Sequence, residues 1–439
     1  MPRSHGKKRP SRRENQPQNN SPSLSRQPAQ LPGYHYDTVS KRYYKIGTQP
    51  GPSNEVPPKQ TVACTSKKRR TSSECSDVYA PVKNPGFFPQ LLLHRSLSVV
   101  ADHVFERKAF QLSAFNTKKQ MIKTQCHRGT VSHLNLNPSQ DLLLASAKSG
   151  HGAVLWKYNV SECNKFYIHI KRDDDFTFSP ASTISDVTFL PPNVREGSVA
   201  LISLLGGVGQ HGRVSLLDLT QGDFLSTYYV PQANVWSCSW NRHEEHSLCI
   251  GASKKGYVQD IVTNNRRVLF TNNSDVLCIR SAARSSCVFT GSRNNLMICH
   301  DLRTKEPVYQ VHHQSSVGDI HLLKGENAMV CSAFNGQLIQ WDLRIQRQVI
   351  AYEGHVNDFA PVKMKIDESE SLLFVPGKDL HTRVWALDSG ALLNTLPPPA
   401  EESIVADHNI PAVEVGLNWA GTKPGFALAA TGLLHWYCL

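Results

Sequence analysis

Four short stretches of this chain carry residue types that can do chemistry. His243-Glu-Glu-His246 gathers two imidazoles and two carboxylates, the groups of a zinc-dependent hydrolase. That chemistry needs histidines four apart on one helix face, with a glutamate beside the first. Here they are three apart and follow the strand-like Val-Trp-Ser-Cys-Ser-Trp240, which predicts a turn between two strands. Gly206-Gly-Val-Gly209 has the glycines of a phosphate loop. A dinucleotide site needs strand, loop and then helix, but the next segment reads as another strand ending at Asp218, so a turn is expected here too. Asp173-Asp-Asp175 has the charge to hold a cation and reads as a solvated acidic loop. No Ser-His-Asp or Cys-His pairing can be placed, so the sequence predicts no catalytic residue, metal or cofactor. The fourth stretch occurs twice, as His300-Asp301-Leu302-Arg303 and Trp341-Asp342-Leu343-Arg344. Side chains alternate along a strand, so an Asp and an Arg two apart share a face. Taken singly, each is a surface ion pair worth about 0–1 kcal/mol. Two arginines at matched places on adjacent units make a local basic site, and arginine is the charged residue most at home in protein interfaces.

Something must set that matched spacing. Asp301 and Asp342 belong to the series Asp218, Asp260, Asp301 and Asp342, with gaps of 42, 41 and 41 residues. A period of about 40–45 residues with a Trp-Asp dipeptide predicts a WD-repeat β-propeller, each repeat one four-stranded blade. The residue before each aspartate extends the series to Trp156, Leu217, Gln259, His300, Trp341, Trp385 and Trp436, which predicts seven blades. The long first gap calls for an insertion around 171–175, and Pro397-Pro-Pro399 would absorb the long last one. A histidine lies 28–30 residues before three of the tryptophans: His127, His313 and His355. Asn294, Asn335 and Asp379 mark polar turns ahead of the last strands. In WD-repeat proteins such His and Asp residues bridge neighbouring strands, and only one repeat carries all three marks, His355, Asp379 and Trp385. With Trp436 three residues from Leu439, the outermost strand of blade seven is expected from the amino side, because an open edge exposes unpaired backbone groups. Residues 105–112, Phe-Glu-Arg-Lys-Ala-Phe-Gln-Leu, alternate well enough to predict that strand.

Composition limits the partners. The net charge of +12 lies almost wholly in residues 1–85, which hold 16 Lys/Arg against 5 Asp/Glu; the rest has 32 against 31. A nearly neutral ring has no strong overall field to gather nucleic acid. The longest apolar run, near 199–205, is too short to span a bilayer. Eleven cysteines without a C-x-x-C pair, and no apolar leader, predict reduced thiols inside a cell. The expected organisation is a disordered basic tail over 1–85, a helical segment over 86–104 and the propeller over 105–439. Residues 31–46 interrupt the tail with four tyrosines in eleven residues, Tyr34, Tyr36, Tyr43 and Tyr44, and predict a small hairpin that docks on the protein or on a partner. Lys67, Lys68, Arg69 and Arg70 form a basic cluster suited to nuclear import, which predicts a nuclear and cytoplasmic protein. The 87–105 segment has near-helical apolar spacing, fitting either a helix packed under the ring or one presented to a partner groove.

At Trp341–Arg344 the sequence resembles a family. Trp-Asp-x-Arg closing a WD repeat is similar to the motif of the WD-repeat substrate receptors of cullin-four ubiquitin ligases. The 300–303 copy departs from it by having His for Trp. Further likeness to one receptor of that group rests on Leu-Pro-Gly-Tyr-His-Tyr-Asp with Lys-Arg-Tyr-Tyr (31–44), Thr-Asn-Asn-Ser-Asp-Val-Leu (271–277), Tyr-Glu-Gly-His-Val-Asn (352–357) and Thr-Arg-Val-Trp (382–385). It covers most of residues 31–439 unevenly. The resemblance implies a non-catalytic receptor. Its Arg303 and Arg344, with Asp301, Asp342 and Trp341, would contact the ligase's adaptor, the large damaged-DNA-binding protein subunit, and through it cullin four. Another surface would hold an unknown substrate protein, and residues 87–105 match by position a helix that related receptors insert into the adaptor. A nuclear scaffold binding RNA or chromatin through the basic tail is the alternative reading.

Overall fold

The structure, a computed structural model, describes residues 34–37, 42–45, 118–123, 130–137, 141–149, 152–162, 168–190, 199–207, 209–398, 410–420, 423–430 and 433–438. The chain divides into two compact units, Met1–Val82 and Lys83–Leu439. Within the first, Tyr34–Asp37 and Arg42–Lys45 pair as an antiparallel hairpin, with Tyr36 opposite Tyr43 and His35 opposite Tyr44. The import candidates Lys67, Lys68, Arg69 and Arg70, the expected helix over 86–104, residues 105–112 and His127 all lie outside the described residues.

The second unit is a seven-bladed β-propeller, and its described residues contain no helix. Blade one runs from Thr130–Asn137 to Ile168–Phe178, and blade two from Ile184–Phe189 to Phe224–Val230. Blade three runs from Val235–Trp240 to Arg266–Leu269, and blade four from Val276–Ser281 to Pro307–His312. Blade five runs from Val317–Leu322 to Arg347–Tyr352, and blade six from Lys365–Ile366 to Leu392–Leu396. Each is four antiparallel strands in chain order. Blade seven takes Ala412–Trp419, Lys423–Ala430 and Leu433–Cys438 from the end of the chain and its outermost strand, Lys118–Lys123, from the amino side. The strand that closes the ring is therefore Lys118–Lys123 and not the 105–112 segment the sequence suggested. Its Lys-Lys-Gln-Met-Ile-Lys shows little apolar alternation, because an outermost strand needs to satisfy only one backbone edge.

All seven members of the period series fall on third strands: Trp156, Leu217, Gln259, His300, Trp341, Trp385 and Trp436. Second strands such as Val199–Leu204 and Leu372–Pro376 are buried at every position and largely apolar, because adjacent blades cover both faces. The core is accordingly shared between blades. Trp156 and Tyr158 of blade one pack with Trp419 and Trp436 of blade seven, and Phe374 of blade six with Phe426 and Tyr437 of blade seven. Two glycines let first strands approach closely: a Cβ at Gly251 would lie 2.8 Å from the Val276 carbonyl oxygen, and one at Gly291 2.7 Å from Val317 Cγ1.

The acidic run 171–175 is not a loop. It sits in Ile168–Phe178, the outermost strand of blade one, where Asp173 pairs with Lys157 at 2.7 Å. The extra length of this repeat lengthens the third and fourth strands to 11 residues each. The His243–His246 stretch is the turn between Val235–Trp240 and Ser247–Ala252, and the glycine run joins Val199–Leu204 to Gly212–Asp218.

Candidate protein-docking site

Antiparallel strands in chain order place the first-to-second and third-to-fourth turns of blades one to six on one face of the ring, and the remaining loops on the other. The register aspartates sit at the end of the third strands, on the first of these faces. Each caps its turn: Asp218, Asp260, Asp301 and Asp342 accept the backbone N–H two residues on, at 2.8, 2.8, 2.9 and 2.9 Å. This is the Asx-turn geometry that short acidic side chains favour. The next residue turns inward and donates its backbone N–H to the carbonyl just ahead of the blade's second strand: Ile261 to His246, Leu302 to Ser286, Leu343 to Asn327. The residue after that must point out.

In blades four and five that outward residue is arginine. Arg303 Nε lies 3.0 Å from Asp301 Oδ1, and Nη2 lies 2.6 Å from Oδ2. Arg344 repeats the arrangement on Asp342, at 3.2 and 2.6 Å. The pairing arises from the turn, since the third strand of blade five ends at Asp342, and not from strand alternation. The Arg344 hydrogen bonds hold the Asp342 carboxyl down at about 2, and Arg303 holds Asp301 well below the usual carboxylate range. Both arginine side chains remain in water, 78% and 67% exposed. Each pair uses two of the five guanidinium N–H groups, so it fixes the fork's orientation and leaves donors for a second molecule.

Neighbouring blades brace this face. Arg267, in the outermost strand of blade three, donates to the carbonyls of Leu302 and Thr304, on either side of Arg303. Glu326 of blade five accepts the backbone N–H groups of Ala283 and Arg284 in blade four, at 2.5 and 2.8 Å. Glu370 of blade six does the same for Lys324 of blade five. Both glutamates hold positive φ, 53° and 54°. These stitches carry no motif, and the recurrence of Glu at a spacing of one repeat was the signal available in the sequence.

The repeat marks serve the frame. Trp341, half-buried, donates from Nε1 to His313 Nε2 at 2.9 Å. Trp385 donates to the Glu353 carbonyl at 2.9 Å, and His355 joins the carbonyls of Gly336 and Pro376 at 3.1 Å each, bridging blades five and six. Asp379 does not meet His355; it holds Arg383 at 2.6 Å. In blade four, His300 takes the tryptophan's place and bonds Thr290 at 3.1 Å. Burial, with Arg267 nearby, lowers it to about 4.

A second charged cluster was not legible in the sequence. The first strands line a central cavity of about 1160 Å³. Across it, Asp186 of blade two meets Lys363 at 3.2 Å and Arg280 at 3.6 Å, and Asp319 meets Arg280 at 3.1 Å and Lys363 at 3.7 Å. Lys365 pairs with Glu414 at 2.5 Å and reaches Asn135 at 3.1 Å. Acids and bases alternate and engage one another, so the cluster ties blades two, four, five and six across the axis. Among the described residues no group of His, Cys, Asp and Glu could hold a metal ion.

The comparisons agree with this architecture. Residues 198–438, more than half of the chain, match the family described as the DDB1- and CUL4-associated factor 4 beta-propeller domain. The chain is 26% identical over 440 residues to DDB1- and CUL4-associated factor 4 of Homo sapiens, covering 93% of this chain and 86% of the relative. Identity to the Bos taurus protein of that name is 27%, covering 91% and 85%. DDB1- and CUL4-associated factor 4-like protein 2 of Homo sapiens is 31% identical over 47% of this chain and 53% of its own length. Seven blades in WD register and a family match across five of them lead to one assignment: this chain belongs to the DDB1- and CUL4-associated factor 4 β-propeller family.

Proposed function

We propose that this protein is a non-catalytic substrate receptor of a cullin-four ubiquitin ligase. It would bind the DDB1 adaptor through Arg303 and Arg344, join CUL4 through that adaptor, and present a target protein for ubiquitination. The observation that carries the reading is the pair of exposed guanidinium groups at equivalent turns of adjacent blades, each aligned on its own aspartate. A fork held in place before binding loses less entropy when it docks. The relatives' names describe DDB1 and CUL4 association, which supports the same partner. In this reading the chain performs no bond chemistry, and ubiquitin transfer belongs to other subunits. The basic cluster at Lys67, Lys68, Arg69 and Arg70 would support nuclear import, giving a protein both nuclear and cytoplasmic.

The test is capture of DDB1 by wild type and by Arg303→Ala/Arg344→Ala. An arginine anchoring such an interface contributes about 2–4 kcal/mol, so the double variant is expected to lose the adaptor while keeping its thermal midpoint. Full retention of DDB1 would defeat the reading.

A further inference from the structure

The position two residues beyond the register aspartate is occupied by Thr220 in blade two, Val262 in blade three, Arg303 in blade four and Arg344 in blade five. Because the Asx turn repeats, these side chains leave the same face at successive blades. Thr220 is tied back, its hydroxyl 2.6 Å from Asp218 Oδ1. The next three are not folded inward: Val262 is 72% exposed, and both arginines stand in water. Ile345, beside Arg344, is 60% exposed. Its counterpart in blade four is Thr304, whose hydroxyl returns to the Asp301 and Glu306 carbonyls. Following the ring from blade three to blade five, the face therefore presents valine, arginine, arginine and isoleucine. Beyond that lies the acidic Asp388 of blade six.

We infer that Val262, Arg303, Arg344 and Ile345 form one contact arc, shaped for a partner face that sets carboxylates between two shallow apolar sockets. This rests on the receptor reading and names the adaptor as the occupant. Charge complementarity argues for that chemistry. The arginines keep guanidinium donors beyond those used by their own aspartates, and carboxylates match the fork bidentately. Two β-branched side chains held in water gain by leaving it. The arc is also rigid where it changes character. Arg267 bridges from blade three to the carbonyls flanking Arg303, so the valine-bearing blade and the first arginine-bearing turn move together. Arg267 is a positioning residue in this account. Two of its N–H groups are used on the turn, and it acts by fixing where Arg303 points.

The experiment measures affinity of the full chain for purified DDB1 by interferometry, with thermal melting of each variant alongside. Val262→Glu and Ile345→Glu place a carboxylate against an acidic face and are each expected to weaken binding about tenfold or more. Phe359→Glu, on the opposite face at 73% exposure, should bind as wild type. Arg267→Gln should weaken binding too, and its effect should vanish when Arg303 is already alanine. If Val262→Glu and Ile345→Glu bind as wild type while Arg344→Ala loses the adaptor, the arc is wrong and the receptor reading survives. If Arg344→Ala also binds as wild type, both fall. Simple additivity of Arg267→Gln and Arg303→Ala would remove the positioning role.

Discussion

Arg344 and Arg280 each hold an aspartate, and they illustrate opposite uses of one ion pair. Arg344 meets Asp342 at 2.6 Å on an open turn. Arg280 meets Asp319 at 3.1 Å and Asp186 at 3.6 Å inside the central cavity, with both acids nearly excluded from water. In water the attraction is screened and the exposed pair adds little to folding. Inside the cavity a partner cannot be removed without stranding a desolvated charge. Burial, more than geometry, decides that one arginine stays open to another molecule while the other ties blades together.

The contrast can be broken by mutation. Asp186→Ala strands Lys363 and Arg280 on Asp319 alone and is expected to cost about 3–5 kcal/mol of stability. Chemical denaturation would show this, and a change under about 1 kcal/mol would mean that water reaches the cavity freely. Arg344→Ala should do the reverse, losing about 2–4 kcal/mol of adaptor binding while stability stays within about 0.5 kcal/mol. A large drop in melting temperature would show that the surface pair is structural after all. Glu326→Ala unstitches blades four and five and should cost about 1–2 kcal/mol, because the two backbone N–H groups lose an ionised acceptor.

The smallest expected effect concerns pH. His300 is held neutral by burial, at about 4, against about 6.5 in an unfolded chain. As pH falls the unfolded chain takes up the proton first, so this contribution to stability is complete above about 6.5 and is lost between there and about 4. His300→Gln should therefore flatten the decline in stability between about pH 7 and 5.5 by roughly 1 kcal/mol. An unchanged slope would show that the imidazole titrates normally.

Much of the ring was readable because its signals are periodic. The position before the register aspartate, or its equivalent where no aspartate follows, marks a third strand in all seven blades, since those positions must fill the space between sheets whatever the side chain. Arg303 and Arg344 were readable for the same reason, as they ride on that period. Asp186 and Lys363 were not: they lie 177 residues apart, in blades two and six, at positions with no common offset. The closing strand was misplaced because Lys118–Lys123 contributes backbone pairing, and pairing leaves little trace in side-chain choice. The acidic run near Asp173 misled because Lys157, on the neighbouring strand, makes a negative charge acceptable in a sheet.

The way blade seven is assembled has a consequence for biosynthesis. Lys118–Lys123 leaves the ribosome before any blade exists, and the strand it pairs with, Leu433–Cys438, follows only after the first six blades. Until that strand is made, the early one waits with open backbone groups and the first blade lacks a complete neighbour on one side. Nascent chains of this protein should therefore depend on chaperones until Leu433–Cys438 has emerged. A premature stop that removes Leu433–Cys438 should yield degraded polypeptide and not a six-bladed remnant.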